Sequence, residues 1–252
     1  MTRRAVTFAA AAAVALAIAC GDVPTLDSGI AYITTVVLPS PAVAAGDVLR
    51  DSTGAVAPLS VKAYDKDNHL VPGVTATYVV STLPAGITID ANGRVTALDT
   101  IGTVQIVGRV GDRLQTPSVV LAVVPQPDSI AASGLLDSLT VGTASSALMA
   151  TVTGVRGPAR VNVAGIIVRY RIAAFYPAAT VDPVKVFFTD GLTGDLTRSV
   201  DTTDASGTAS KIVTLSTRTG IDSVRVEASA TNLRGVPLKG SPVRFILHVK
   251  KG

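Results

Sequence analysis

The sequence predicts an all-β chain of two tandem β-sandwiches after an N-terminal signal peptide. Val and Thr, which favour strands, supply 37 and 29 of the 252 residues, whereas Glu, a favoured helix former, occurs once, at Glu227. Beyond residue 20, short runs with apolar residues at every second position are separated by Gly, Pro, Asn and Asp. No stretch there keeps a helical period for three turns.

Composition excludes several classes of protein. Hydrophobic residues make up 48% of the chain and charged residues 16%, which excludes a disordered protein. One Cys and two His are too few for a disulfide framework or a Cys/His zinc site. Aromatic residues make up only 4%, with no Trp, so a stacking platform for sugars or single-stranded nucleic acid is not expected. We therefore expect no cofactor, no metal site and no nucleic-acid partner.

Residues 1–19 have the organisation of a signal peptide. Arg3 and Arg4 precede a nearly unbroken apolar run over residues 5–19, which ends in small residues before Cys20. Its fifteen positions fall short of the roughly 20 that a membrane-spanning helix needs. The segment therefore predicts export, with the mature chain beginning near Cys20.

The end of this segment, Leu16-Ala17-Ile18-Ala19-Cys20, resembles a bacterial lipoprotein signal, although Ala17 stands where that family usually has Leu. The resemblance implies diacylation of the Cys20 thiol, and an acylated N-terminus with two or more chains gives stable membrane anchoring. Gly21 is not the Asp that signals inner-membrane retention, so the outer membrane is favoured. The alternative is a chance Cys beside an ordinary cleavage site. Residues 20–29 are then a short tether.

Residues 30–124 contain about seven strand-like runs, which is the number expected of an immunoglobulin-like β-sandwich. Val74, Ala76, Tyr78 and Val80, for example, alternate with more polar neighbours. The runs lie near residues 30–38, 59–64, 74–80, 87–89, 94–98, 104–110 and 118–124.

Residues 125–128 are predicted to be a stiff linker, because Pro125 and Pro127 cannot donate to a sheet ladder. A second sandwich is predicted over residues 129–249, with an extended loop or added hairpin between residues 175 and 203. Its runs lie near residues 135–141, 148–155, 166–174, 184–188, 209–215, 223–229 and 242–249.

Turn-and-strand motifs in both units resemble known bacterial domains. In the first unit, Leu59-Ser60-Val61-Lys62-Ala63-Tyr64-Asp65 and Ile89-Asp90-Ala91-Asn92-Gly93-Arg94-Val95 resemble the group 2 bacterial immunoglobulin-like domain. In the second, Thr203-Asp204-Ala205-Ser206-Gly207-Thr208-Ala209 resembles the group 1 type of invasin and intimin adhesins. The resemblance implies domains used for spacing, display and adhesion, which is an analogy of fold.

Residues that could carry chemistry do not form a known motif. The chain has no nucleophile elbow, phosphate-binding loop or H-E-x-x-H sequence. Asp65-Lys66-Asp67-Asn68 begins like a calcium loop but lacks the Gly and Glu of an EF-hand, so a hairpin turn is preferred. His69 and His248 are expected in a turn and in the last strand. Whether Asp190, Asp195, Asp201 and Asp204 converge in a hydrolase cleft is left open.

Charge is distributed unevenly along the chain. Residues 28–124 hold 6 basic and 7 acidic side chains, whereas residues 129–249 hold 12 basic and 8 acidic, a net charge of +4. Arg169 and Arg171 share a face if residues 166–174 form a strand. Arg156, Arg160, Arg225 and Arg244 are candidates to join them in a patch for an anionic surface such as lipopolysaccharide or an acidic polysaccharide. The alternative is a solvated face with interspersed aspartates.

The sequence thus predicts a non-enzymatic lipoprotein of the cell envelope, anchored by Cys20, that acts as an adhesion, display or structural module. The second sandwich is the expected contact for a protein or anionic polysaccharide partner. One alternative is a periplasmic accessory subunit that binds another envelope protein by strand addition. Another is a hydrolase with its site in residues 175–203.

Overall fold

The computed structural model describes residues 29–81, 86–133, 136–177, 179–182, 184–217 and 220–250. Over these residues the regular structure consists of β-strands, and no helix there is long and apolar enough to cross a membrane. The all-β fold is therefore confirmed. Residues 1–19, Cys20 and most of the predicted tether lie outside the described residues.

Within the described residues, the first sandwich contains ten strands. They are β1 (Tyr32–Val37), β2 (Ala42–Ala44), β3 (Ser60–Tyr64), β4 (Leu70–Val71), β5 (Thr77–Val80), β6 (Ile87–Ile89), β7 (Val95–Ala97), β8 (Gly102–Val110), β9 (Leu114–Gln115) and β10 (Val119–Val124). One sheet has the order β1-β3-β4, and the other has the order β2-β10-β8-β5 with β9 beside β8. Strands β6 and β7 form a separate antiparallel pair.

The part of the second sandwich that the structure describes contains eleven strands. They are β11 (Pro127–Ser133), β12 (Leu136–Leu139), β13 (Leu148–Arg156), β14 (Ala159–Asn162), β15 (Ile167–Tyr176), β16 (Val186–Phe188), β17 (Arg198–Thr202), β18 (Thr208–Lys211), β19 (Val213–Leu215), β20 (Ser223–Ala230) and β21 (Val243–Val249). One sheet contains β11, β13, β14 and β18, and the other has the order β12-β21-β20-β15-β17. Strands β16 and β19 pair separately.

In both sandwiches the first two strands belong to different sheets, so the chain crosses from one sheet to the other at its start. β1 pairs antiparallel with β3, and β2 then runs parallel to β10 in the facing sheet. β11 and β12 repeat this arrangement, with β11 antiparallel to β13 and β12 parallel to β21. The two units therefore share an immunoglobulin-like topology of two facing, mainly antiparallel sheets.

The alternation of buried and exposed residues along a strand shows which side chains form the core. In β21, Phe245, Leu247 and Val249 are buried, whereas Arg244 and His248 are exposed. Successive side chains of a strand point to opposite faces, so one set packs between the sheets and the other faces solvent. The alternation that predicted the strands is thus the pattern that fills both cores.

One five-residue turn occurs five times among the residues that the structure describes. Its first residue is Asp or Asn, whose Oδ1 accepts the backbone N–H groups of the third and fifth residues. The fourth residue is Gly in four copies and Asn68 in one, because its φ is positive, between 64° and 88°. We call this the Asx turn. Its copies are residues 51–55, 65–69, 90–94, 204–208 and 232–236.

The link between the sandwiches is shorter in the structure than the segment proposed from the two prolines. Only Pro125 and Gln126 separate β10 from β11, because Pro127 is the first residue of β11 and lies opposite Gly154. Pro is compatible with the first position of an edge strand, where its missing N–H is not needed. Asp128, also assigned to the linker from the sequence, lies in β11 as well.

Candidate functional site

Arg169 and Arg171 lie on one face of β15, as the alternation predicts. Val168 and Tyr170 beside them are buried, and both arginines are exposed on the outer face of the five-stranded sheet. Tyr170 Oη donates a hydrogen bond of 2.8 Å to the carbonyl of Ala209. Burial, and secondarily the charge of Asp201, raises the pKa of Tyr170 well above its ordinary value, so it remains protonated.

The same face holds Glu227, whose carboxylate gathers three guanidinium groups. Arg171 donates from Nε and Nη2 to Glu227 Oε2, over 3.0 and 2.6 Å. The Nε atoms of Arg225 and Arg244 each lie 3.5 Å from Glu227 Oε1. The Glu227 side chain is only 5% exposed, although it lies on the outer face. It is therefore a buried carboxylate under three arginines, which makes it a positioning group for them.

Arg198 completes this surface and was not expected from the sequence. It lies in β17 directly opposite Arg171, and its Nε is 3.2 Å from Asp195. We call Arg169, Arg171, Arg198, Arg225, Arg244 and Glu227 the arginine face. The sequence places Glu227 two residues after Arg225, on the same side of a strand. Only the register between β15, β20 and β21 shows that it meets Arg171 and Arg244.

Arg156 and Arg160 lie elsewhere, so the structure does not bring all the predicted arginines together. Both belong to the β13–β14 hairpin of the opposite sheet. Arg160 donates to Asp128 over 2.8 Å and to Ser129 over 2.7 Å, whereas Arg156 is exposed at the end of β13. They are not part of the arginine face.

The four carboxylates considered for a hydrolase site are each engaged in a separate local contact. Burial raises the pKa of Asp190, but the hydrogen bond and charge of Lys211 outweigh it, so the pKa lies below its ordinary value. The pKa values of Asp195 and Asp204 are also lowered, mainly by hydrogen bonds from the hydroxyls of Thr197 and Ser206. The engaged groups are Asp190 with Lys211, Asp195 with Thr197 and Arg198, Asp201 with Ser210 N–H, and Asp204 within its Asx turn.

Asp65, Asp67 and His69 offer ligand atoms within 4.8 Å of one another. Asp65 Oδ1, however, accepts the N–H groups of Asp67 and His69, as in every other Asx turn. The turns at residues 90–94 and 204–208 make the same bonds without a second carboxylate. A hairpin turn accounts for these contacts. His248 lies exposed in β21, as expected.

Two Asx turns meet where the sandwiches join, one from each. An ideal Cβ on Gly54 would lie 2.3 Å from the carbonyl oxygen of Arg234, and one on Gly235 would lie 2.4 Å from that of Thr53. Both glycines have positive φ, of 88° and 80°. Only glycine permits this backbone-to-backbone approach. We call the paired turns, residues 51–55 and 232–236, the joint.

An ion pair lies beside the joint. Arg234 Nε donates to Asp47 Oδ2 over 2.8 Å, and Arg50 is 3.4 Å from Asp47 Oδ1. Burial raises the pKa of Asp47, but the hydrogen bonds from Arg234 and Val48 and the two arginine charges outweigh it, so the pKa lies below 3.8. The carboxylate is therefore ionised at neutral pH and holds Arg234 of the other sandwich.

Apolar packing continues across the same boundary. A Cβ on Gly165 would lie 2.8 Å from Ala42 Cβ and 3.8 Å from Ala122 Cβ. Ala42 and Val124 of the first sandwich belong to the apolar cluster that fills the second. The two sandwiches are therefore in contact through buried apolar side chains, through close backbone approach and through an ion pair.

Comparison with known proteins finds likeness only to solved structures. The sequence matches no protein-family model and no curated protein. The Yersinia pseudotuberculosis adhesin InvE is 17% identical over 85% of this chain, with a TM-score of 0.35, and the chain covers 58% of that structure's length.

Two further solved structures give similar figures. Domains 4 and 5 of the S-layer protein SbsC are 13% identical over 87% of this chain and all of theirs, with a TM-score of 0.32. The D0-D1 domain of Intimin is 16% identical over 84% of this chain and 98% of its own, with a TM-score of 0.24. Sequence identities and TM-scores this low do not support transferring a function from these proteins to this chain.

Proposed function

We propose that this protein is an exported, lipid-anchored and non-enzymatic module of the cell envelope that acts as a rigid spacer for adhesion or display. The observation that carries the proposal is the joint, where two glycine turns interlock beside the Arg234–Asp47 pair. A spacer must hold its far end at a fixed distance and angle from its anchor.

The linkage supports a fixed angle between the sandwiches. Two residues, Pro125 and Gln126, connect β10 to β11, and Gly154 lies so close that its Cβ would be 2.4 Å from Gln126 O. Relative motion of domains is the usual expectation where an interface is small and polar. Here the apolar cluster continues across the boundary, which opposes such motion.

The sheet edges favour a spacer over a subunit that recruits partners by strand addition. Most of the edge strands are short, since β2, β5, β12 and β17 have three to five residues, whereas β1 has six. Strand β11 is longer, but its outer edge is covered where Ile130 N–H donates to Lys239 O and Lys239 N–H donates to Asp128 O. Short or covered edges limit pairing with other chains.

Lipid anchoring is proposed from the sequence, through acylation of Cys20. Substitution of Cys20 by Ala should move the protein from the membrane fraction to the soluble fraction and abolish a lipid mass increment. Protease added to intact cells should cleave the native protein if the module is displayed at the surface. An unchanged membrane fraction for the variant would contradict the anchor, and complete protection of the native protein would contradict display.

The rigid joint is tested with spin labels on Asp112→Cys and Arg156→Cys in the full chain carrying Cys20→Ala. We expect one narrow interlabel distance distribution. Gly54→Ala or Gly235→Ala should broaden it, because the added Cβ meets backbone of the other sandwich.

Gly73→Ala is the matched control for these two variants. It imposes the same strain, since its φ is 70°, but its Cβ would have nothing within 4 Å, so the distribution should stay narrow. A broad distribution in the unsubstituted joint would refute the rigid spacer.

A further inference from the structure

A groove of about 400 Å³ crosses the outer face of the second sandwich between β15 and β17. It lies over the part of the arginine face formed by Arg169, Arg171 and Arg198. Apolar carbon from Leu192 and Val200 and the Ser229 side chain complete it. The groove is therefore rich in cations without being fully polar.

The positions of the cations in the groove are not ones that the stability of the sheet favours. Arg171 and Arg198 are directly opposite each other in the antiparallel pair of β15 and β17. Like charges at such positions destabilise a sheet. Arg169 lies two residues from Arg171 on the same face, and no ion pair involves it within the described part of the chain. Local conflicts of this kind are expected where a surface serves binding.

Each of the two opposed arginines, Arg171 and Arg198, is held in place by a carboxylate. Glu227 accepts Nε–H and one Nη2–H of Arg171, and Asp195 lies 3.2 Å from Arg198 Nε. A guanidinium has five N–H groups, so Arg171 keeps three for a ligand. Because Glu227 already fixes Arg171, less side-chain freedom is lost when an anion binds.

The shape of the cationic surface indicates a polymer. Arg198, Arg171, Glu227 and Arg244 lie in register across β17, β15, β20 and β21. Neighbouring strands are about 4.8 Å apart, so this row extends over about 14 Å. A single small anion would engage only part of it. Leu192 and Val200 offer apolar contact for the carbon face of a sugar ring.

We propose that this groove binds an acidic polysaccharide, whose carboxylates accept hydrogen bonds from Arg169, Arg171 and Arg198 while its ring carbons contact Leu192 and Val200. The assignment goes beyond the spacer role, because a spacer with an inert face would fulfil that role equally well. It also replaces the wider arginine set predicted from sequence.

The test measures binding of the full chain to immobilised polygalacturonate, with neutral dextran as the comparison surface. The native chain should bind polygalacturonate and not dextran, and binding should weaken between about 50 mM and about 200 mM salt. Arg169→Gln with Arg198→Gln should weaken binding at least about tenfold, since charge-assisted hydrogen bonds are lost.

The matched control, Arg109→Gln with Arg113→Gln, removes the same charge from exposed positions of the first sandwich and should change binding less than about twofold. Arg169→Gln alone, which breaks no ion pair, should weaken binding while leaving the unfolding midpoint unchanged.

Three results would overturn the proposal. They are absence of binding to polygalacturonate, an equal loss in the control variant, and binding to duplex DNA or to phosphatidylglycerol vesicles that is as tight as to the polysaccharide.

Discussion

The two sandwiches share a topology but differ in how their cores are filled. In the second, Tyr170, Phe175, Phe188 and Phe245 are among the largest fully buried side chains, and one continuous apolar cluster spans the unit. The first has no Phe within residues 29–124, and its largest fully buried side chains are aliphatic. Apart from residues that pack against the second sandwich, its buried apolar residues form two clusters.

This difference indicates which sandwich depends on the other. Aromatic side chains bury more area than aliphatic ones, so each contributes more to stability. The first sandwich places Ala42 and Val124 in the core cluster of the second. We infer that the second sandwich is the more stable unit and that the first gains stability from the apolar packing at the boundary between them.

The largest expected effect comes from removing one aromatic side chain from the second core. Phe245→Ala should lower the free energy of unfolding by about 3–5 kcal/mol, because it deletes fully buried carbon and leaves a cavity. Denaturant unfolding followed by circular dichroism measures it, with the exposed Val155→Ala as control. A loss below about 1 kcal/mol would mean that the aromatic core does not distinguish the two sandwiches.

A smaller effect is expected from Glu227, the buried carboxylate of the second sandwich. Glu227→Gln should cost about 1–3 kcal/mol, because Arg171, Arg225 and Arg244 lose their shared anion while remaining partly solvated. Asp128→Asn is the control, since its pair with Arg160 is exposed at both ends and should be worth about 1 kcal/mol or less. An equal loss of unfolding free energy in both variants would contradict the role of Glu227 in positioning the three arginines.

The smallest effect concerns Asp47, which joins the first sandwich to Arg234 of the second. Its pKa is lower in the folded protein than the ordinary 3.8. The stabilisation is therefore complete above that ordinary value and is lost as pH falls through the folded value. As the pH is lowered from about 7, the interlabel distance distribution across the joint should stay narrow down to 3.8 and broaden only below that value, where the folded carboxylate takes up its proton.

Asp47→Asn provides the control for this pH dependence. It should broaden the distribution modestly at neutral pH and reduce the further change in acid, because the titrating carboxylate is gone. An acid response of the same size in this variant would assign the pH effect to other carboxylates, such as those of the Asx turns.

The alternation of apolar and polar residues predicted the strands well where the apolar residues are large. Residues 87–89 coincide with β6, and the final run at 242–249 gives β21. Strand β2 was not predicted, because Ala42-Val43-Ala44 has no alternation and all three residues are buried. Its position depends on parallel pairing with β10, which is 75 or more residues away and leaves no local signal.

The arginine face was partly predictable for the same reason. Arg169 and Arg171 could be placed on one face from their spacing of two within a strand. Arg198 lies in a polar segment whose strand, β17, was taken for loop or hairpin. Its position opposite Arg171 follows from register, which long-range packing determines.

The parallel pairs β2–β10 and β12–β21 have a mechanical consequence. In each pair the chain enters at one end of the first strand and leaves at the opposite end of the second. Tension applied between the N-terminal end of the first sandwich and the second sandwich would pull β2 and β10 past each other in shear. Their hydrogen bonds bear the load together and do not unzip one at a time. Resistance to such a pull is set by the unfolding rate, and so by the barrier to sliding.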